Sequence, residues 1–115
     1  MSDVVFHPPV EELVLTKVLA ALAEPARLAI VRAIARTGET GVSCTQIQQD
    51  AGIEIGKSTM SHHQRVLRES GVTRTRIEGS RRMLTLRRTD LDRRFPGLLD
   101  AVLADSDTVV GAAAV

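Results

Sequence analysis

A chain of 115 residues, 43% hydrophobic and 25% charged, has the size and apolar content of one folded domain and excludes a disordered, collagen-like or low-complexity polypeptide. It contains no apolar run of roughly 18 residues to span a membrane and no basic start with a long apolar stretch to signal secretion. Its single cysteine, Cys44, excludes an internal disulfide framework and points to a reducing cytoplasm. The formal charge of +1 conceals a segregation, because the stretch from Lys57 to Arg94 carries +7 and the remainder −6. Charge serving solubility alone is more often intermixed. With no Trp, no Tyr and only Phe6 and Phe95 as aromatics, the core must be aliphatic and small, which favours support from a partner subunit.

Residues 1–9 read as an extended arm closed by Pro8-Pro9, 10–105 as the domain, and 106–115 as a frayed tail. Leu13, Leu15, Val18, Leu19 and Leu22 recur at helical spacing and predict a helix from Val10 to Leu22. Glu24-Pro25 breaks it and starts a second, carried by Leu28, Ile30, Val31, Ile34 and Ala35 and stopped by Gly38. Ser43 and Gln46 have the form of a capping box and open a short third helix through Ala51, closed by Gly52. A fourth spans about Lys57 to Ser70, ends at Gly71, and directs Met60, His63 or Gln64, and Leu67 inward. The period then changes to two on either side of Gly79-Ser80, predicting an arginine-rich hairpin over 73–77 and 82–87. Leu91, Phe95, Leu98, Leu99, Val102 and Leu103 predict a last helical stretch from Asp90 to about Asp105, bent or restarted at Pro96.

This order describes a mainly α winged helix-turn-helix: about five helices and a two-stranded β wing. The chemistry follows from the groove of a DNA duplex. A major groove admits one helix, and short hydroxyl side chains on its first turns bring backbone and base edges close. A helix N-terminus offers free N–H groups to phosphate. Lys57, Ser58, Thr59, Ser61 and His62 provide those features, with Arg65 and Arg68 further along and Arg81 and Arg82 near the hairpin tip. His62 reads as a base or phosphate contact, the alternative being a solvated imidazole; His63, nearer the core, reads as internally hydrogen-bonded. Leu13, Leu15, Leu19, Leu98, Leu99, Val102 and Leu103 on the terminal helices exceed what so small a centre can cover. They are therefore expected at a homodimer interface rather than in plain core.

Three segments in order resemble the ArsR-type small winged-helix regulators. They are Leu22-Ala23-Glu24-Pro25-Ala26-Arg27-Leu28-Ala29-Ile30-Val31, the stretch from Lys57 to Val72 with its Ser61-His62-His63, and Arg76-Ile77-Glu78-Gly79-Ser80-Arg81-Arg82. The resemblance implies a homodimer joined through its first and last helices, bound to double-stranded DNA and usually acting as a repressor, and the third segment adds Arg76 to the DNA-binding set. The chain departs from the family in a longer turn over Gly52–Gly56, in Gln64 where an inward Leu is usual, and in Met83-Leu84 where two Tyr are common.

Many relatives of that family release DNA on binding a soft metal, but a thiolate site needs two or three cysteines and only Cys44 is present. The last helix has aspartates without histidine, and the adjacent His62 and His63 diverge by about 100° on a helix. No metal site and no cofactor are expected, although a site shared between subunits through Cys44 and His7 stays open. Cys44 follows the cap Ser43, where a helix dipole lowers a thiol pKa. It is either a redox switch or, the favoured reading, a small buried apolar residue. No triad, phosphate loop or metal set suggests an enzyme. The remaining alternative is a winged domain that docks a protein.

Overall fold

The computed structural model describes residues 5–104, apart from the side chain of Glu39. Within these residues, six α-helices and three strands pack around one core. They are α1 (Leu15–Ala23), α2 (Pro25–Ala35), β1 (Val42–Ser43), α3 (Cys44–Ala51), α4 (Lys57–Ser70), β2 (Thr73–Glu78), β3 (Arg81–Leu86), α5 (Arg88–Arg94) and α6 (Leu98–Ala104). The expected winged helix-turn-helix is present, with one helix and one strand more than the sequence pattern predicts. The tail over 106–115 lies outside the described residues.

The first expected helix is broken. Val10–Glu12 forms a single 3-10 turn after Pro9, and Leu13 and Val14 are extended before α1 begins. The break has a tertiary cause. Leu13 is turned inward until 2% of it remains exposed, and its side chain lies over Gly71, where any Cβ would collide with it. Gly71, at φ 92°, also ends α4 in the left-handed region that suits glycine. Glu24 caps α2 by accepting from the Arg27 N–H at 2.9 Å, and Pro25 fills the first turn.

Ser43 caps α3 through the Gln46 N–H at 3.3 Å, but the Gln46 side chain turns to Asp50 instead of closing the expected box. The short strand before it pairs Val42 with Leu84 and Ser43 with Met83, which makes the sheet three-stranded in the order β1-β3-β2. Pro96 and Gly97, the latter at φ 86°, divide the last helical stretch into α5 and α6. Ile30, Ile34, Ile47, Leu67, Leu84, Leu91 and Leu99 are fully buried and draw α2 through α6 and the sheet onto one another.

The described part of the arm, residues 5–9, is fastened to the body. The Thr75 N–H on edge strand β2 donates to His7 Nε2 at 3.0 Å, and the buried Arg87 donates to the Pro8 carbonyl at 2.7 Å.

Candidate nucleic-acid interface

Helix α4 is amphipathic in a way that presents its polar residues. Met60, His63, Gln64, Leu67 and Ser70 are buried, whereas Lys57, Ser58, Thr59, Ser61, His62 and Arg65 are exposed and Arg68 is half-buried. Its N-cap, Gly56, has no side chain to satisfy the first-turn N–H groups, so these point outward at the positive end of the helix dipole. The turn before it runs from Gly52 to Gly56, and the Gln48 side chain pins it by donating to the Ile55 carbonyl at 3.1 Å.

The wing adds one cation to this face. Antiparallel register pairs Ile77 with Arg82 and Arg76 with Met83, so neighbouring residues on each strand face opposite sides of the ribbon. Arg82 falls on the side of Thr73, Thr75 and Leu84, and a groove of about 530 Å3 joins it to Lys57, Ser58, Ser61, His62, Arg65 and Arg68. Seven of the ten residues expected at DNA are therefore gathered in one concavity. Thr59 is exposed on α4 beside it. Arg81 and Arg76 belong to the opposite face, where Arg76 is held by Glu78 at 2.7 Å and by the Thr40 carbonyl at 3.2 Å. Arg76 and Arg81, expected in the DNA-binding set as residues of the wing, thus stand across the ribbon from the α4 face.

Two contacts that sequence reasoning missed hold this surface in place. Gln64 Nε2 donates to Cys44 Sγ at 2.9 Å, and the thiol lies 3.9 Å from the Arg82 carbonyl, so α3, α4 and the wing meet at one point. Burial pushes the Cys44 thiol up from its ordinary value, against the Gln64 hydrogen bond and the Arg82 charge. The expected lowering by the helix dipole does not prevail, and the thiol is half-buried. Arg27 makes the other contact: its Nε donates to the Ala21 carbonyl at 2.8 Å and Nη1 reaches His63 Nδ1 at 3.2 Å. Because guanidinium can only donate, His63 accepts and is assigned its proton on Nε2. Desolvation holds the His63 pKa below its usual value, with Glu24 opposing and Arg27 and His62 assisting.

The apolar residues expected at a dimer interface divide. Leu13 and Leu99 are 2% and 1% exposed within a single chain, so they are core and the interface expectation is corrected for both. Leu15 and Leu19 stand out at 43% and 45% exposure, next to Val14. Leu98, Val102 and Leu103 are half-buried against the core. Among the described residues, no three of His, Cys, Asp and Glu are grouped to hold a metal ion, and no helix is long and apolar enough to cross a membrane.

A helix-turn-helix domain family matches residues 22–76. The uncharacterized HTH-type transcriptional regulator YceK of Bacillus subtilis (strain 168) is 31% identical over 86 residues, which cover 75% of this chain and 83% of YceK. The crystal structure of the transcriptional repressor BigR from Xylella fastidiosa superimposes with a TM-score of 0.55 at 27% identity, over 70% of this chain and 85% of that one. The fold is also that of an ArsR family transcriptional regulator of known structure, with a TM-score of 0.59 at 17% identity over 88% of this chain and all of the other.

Proposed function

The chain belongs to the small helix-turn-helix transcriptional regulators in the winged, ArsR-type form, and from that premise we propose that it is a homodimeric repressor acting on an inverted-repeat operator in the cytoplasm. That it is a DNA-binding transcriptional regulator rests on its relatives; the oligomer, the sign of regulation and the operator symmetry are our reading. The observation that carries it is the groove in which Lys57, Ser61, His62, Arg65 and Arg68 of α4 meet Arg82 of the wing. A helix with a bare N-terminus fits a major groove, and a cationic strand beside it fits the flanking backbone.

In this reading Ser58, Ser61 and His62 approach base edges, Lys57 and the open N–H groups hold phosphate, and Arg65 and Arg68 hold phosphate or guanine along the helix. The exposed Leu15 and Leu19 supply the apolar patch for a second copy. The dimer sets two α4 helices into successive major grooves, about 34 Å apart. The kinship to BigR, described as a transcriptional repressor, favours repression, and no catalytic role is assigned to any residue.

Selection of bound sites from random duplex DNA, followed by footprinting, tests the proposal. The expected result is a two-fold symmetric site whose affinity falls steeply with salt as counterions are released. An asymmetric site would overturn the dimer, and salt-independent or absent binding would favour a domain that docks a protein.

A further inference from the structure

The arginines that the hairpin turns away from α4 converge on a second concavity. A cleft of about 640 Å3 opens between the end of α2, the far face of β2 and β3, and the start of α5, within the size range of small-ligand sites. Ala35 and Leu86 give it an apolar wall above the buried Ile34, Thr85 a hydroxyl, and Arg74, Arg76, Arg87 and Arg88 a cationic lining. Among the described lining residues Asp90 is the one carboxylate.

The four guanidinium groups are not equally committed. Arg87 is buried, bonded to Asp90 at 2.9 Å and to the Pro8 carbonyl, and so belongs to the framework. Arg76 is fixed by Glu78 and Thr40. Arg74, 53% exposed, only approaches the already engaged Asp90 oxygen at 3.5 Å. Arg88, 48% exposed, reaches Asp100 at 3.9 Å, a solvated pair of little worth. Two loosely held forks from different elements thus border one cleft with an apolar wall, an arrangement suited to gripping an oxyanion.

We propose that this cleft binds a small organic anion, a carboxylate or phosphate attached to a hydrocarbon body, with Arg74 and Arg88 on the charged end and Ala35 and Leu86 against the body. A backbone phosphate of bound DNA is the poorer occupant, because the cleft shares no residue with the α4 groove and lies across the ribbon from it. Arg74 sits on the wing strand, so an anion that draws it from Asp90 acts on the wing as well. That consequence for operator affinity rests on the proposed DNA-binding role, whereas anion binding itself does not.

The test is calorimetric titration of the full chain, without DNA, at near-physiological salt, using phenyl phosphate, benzoate and inorganic phosphate. One phenyl phosphate or benzoate per chain is expected, bound more tightly than inorganic phosphate, and the preferred probe of the two identifies the charged group. Arg74→Ala and Arg88→Ala, both at exposed positions, each weaken it by about tenfold or more, while Arg65→Ala in α4 leaves it unchanged. Failure of all three probes to bind, loss of binding in Arg65→Ala, or retention in the Arg74→Ala/Arg88→Ala double variant would overturn the proposal, as would inorganic phosphate binding as tightly as the organic probes. With DNA absent from the cell, none of these outcomes bears on operator recognition.

Discussion

His63 and His7 both work as acceptors, and both must therefore be neutral in the native state. His63 Nδ1 meets an Arg27 guanidinium N–H, and His7 Nε2 receives the Thr75 N–H. Desolvation is the largest cause lowering each pKa from 6.5; the charges of Arg74, Arg87 and Arg68 add to it at His7. The unfolded chain then binds more protons than the native one in the interval below that ordinary value. Stability conferred by these rings is in place above about pH 6.5 and is lost as the pH falls through it toward the lowered native values. The melting temperature should accordingly drop on acidification from about pH 7.5 to about 5.5. In a His7→Gln/His63→Asn double variant, whose amide oxygens stand in for the two acceptor nitrogens, the drop should be much smaller. Equal slopes for the two proteins would exclude the histidines as its source. These roles were only half legible from the sequence: His63 was readable as internally bonded from its place on the inner face of α4, but its partner lies 36 positions away and no spacing rule connects them.

Among the elements, the limits of α4 were readable because Gly56 and Gly71 bracket an uninterrupted amphipathic run. The break before α1 was not, since Leu13 and Val14 keep a helical pattern and leave the helix only because Leu13 is needed over Gly71. Gly71→Ala tests that account. It places a Cβ at a positive φ and against the Leu13 side chain, and the two penalties together should cost about 2 kcal/mol or more, read by chemical denaturation. The strand β1 has two residues, too few for any alternation to show. In the hairpin, alternation was evident but its outcome was not, because the face taken by each arginine depends on the register across β3 and on what packs beneath. Arg82 joins the α4 groove and Arg76 does not. Arg82→Ala should therefore weaken DNA binding and reduce the slope of log affinity against log salt by about 1. Arg76→Ala, which loses partners on the far face, should leave that slope as it is. An equal effect from the two would mean the hairpin does not divide its charges as its register indicates.

At the scale of the molecule, the question is what covers the exposed leucines of α1. The cations of the basic stretch are divided among α4, the wing and α5, while α1 has Lys17 as its one charged residue. Exposed Leu15 and Leu19 on such a helix, with Val14 just before it, form an apolar strip with little charge to keep it in water. An isologous contact would cover two such strips at once and fix the spacing of the two α4 helices. Leu99, expected from the sequence at the interface, cannot test this, because it is 1% exposed in one chain. Leu99→Asp should unfold the protein by burying an unpaired carboxylate. Leu15→Asp/Leu19→Asp changes residues that are already in solvent within the single chain, so its helical circular dichroism should persist while sedimentation moves from dimer to monomer. Half-site binding should survive in this variant, with the full operator bound far more weakly than by the parent, since the second α4 then engages without the gain of being tethered to the first. A variant that still sediments as a dimer would show that some surface other than α1 joins the two copies, and a parent that sediments as a monomer would overturn the contact.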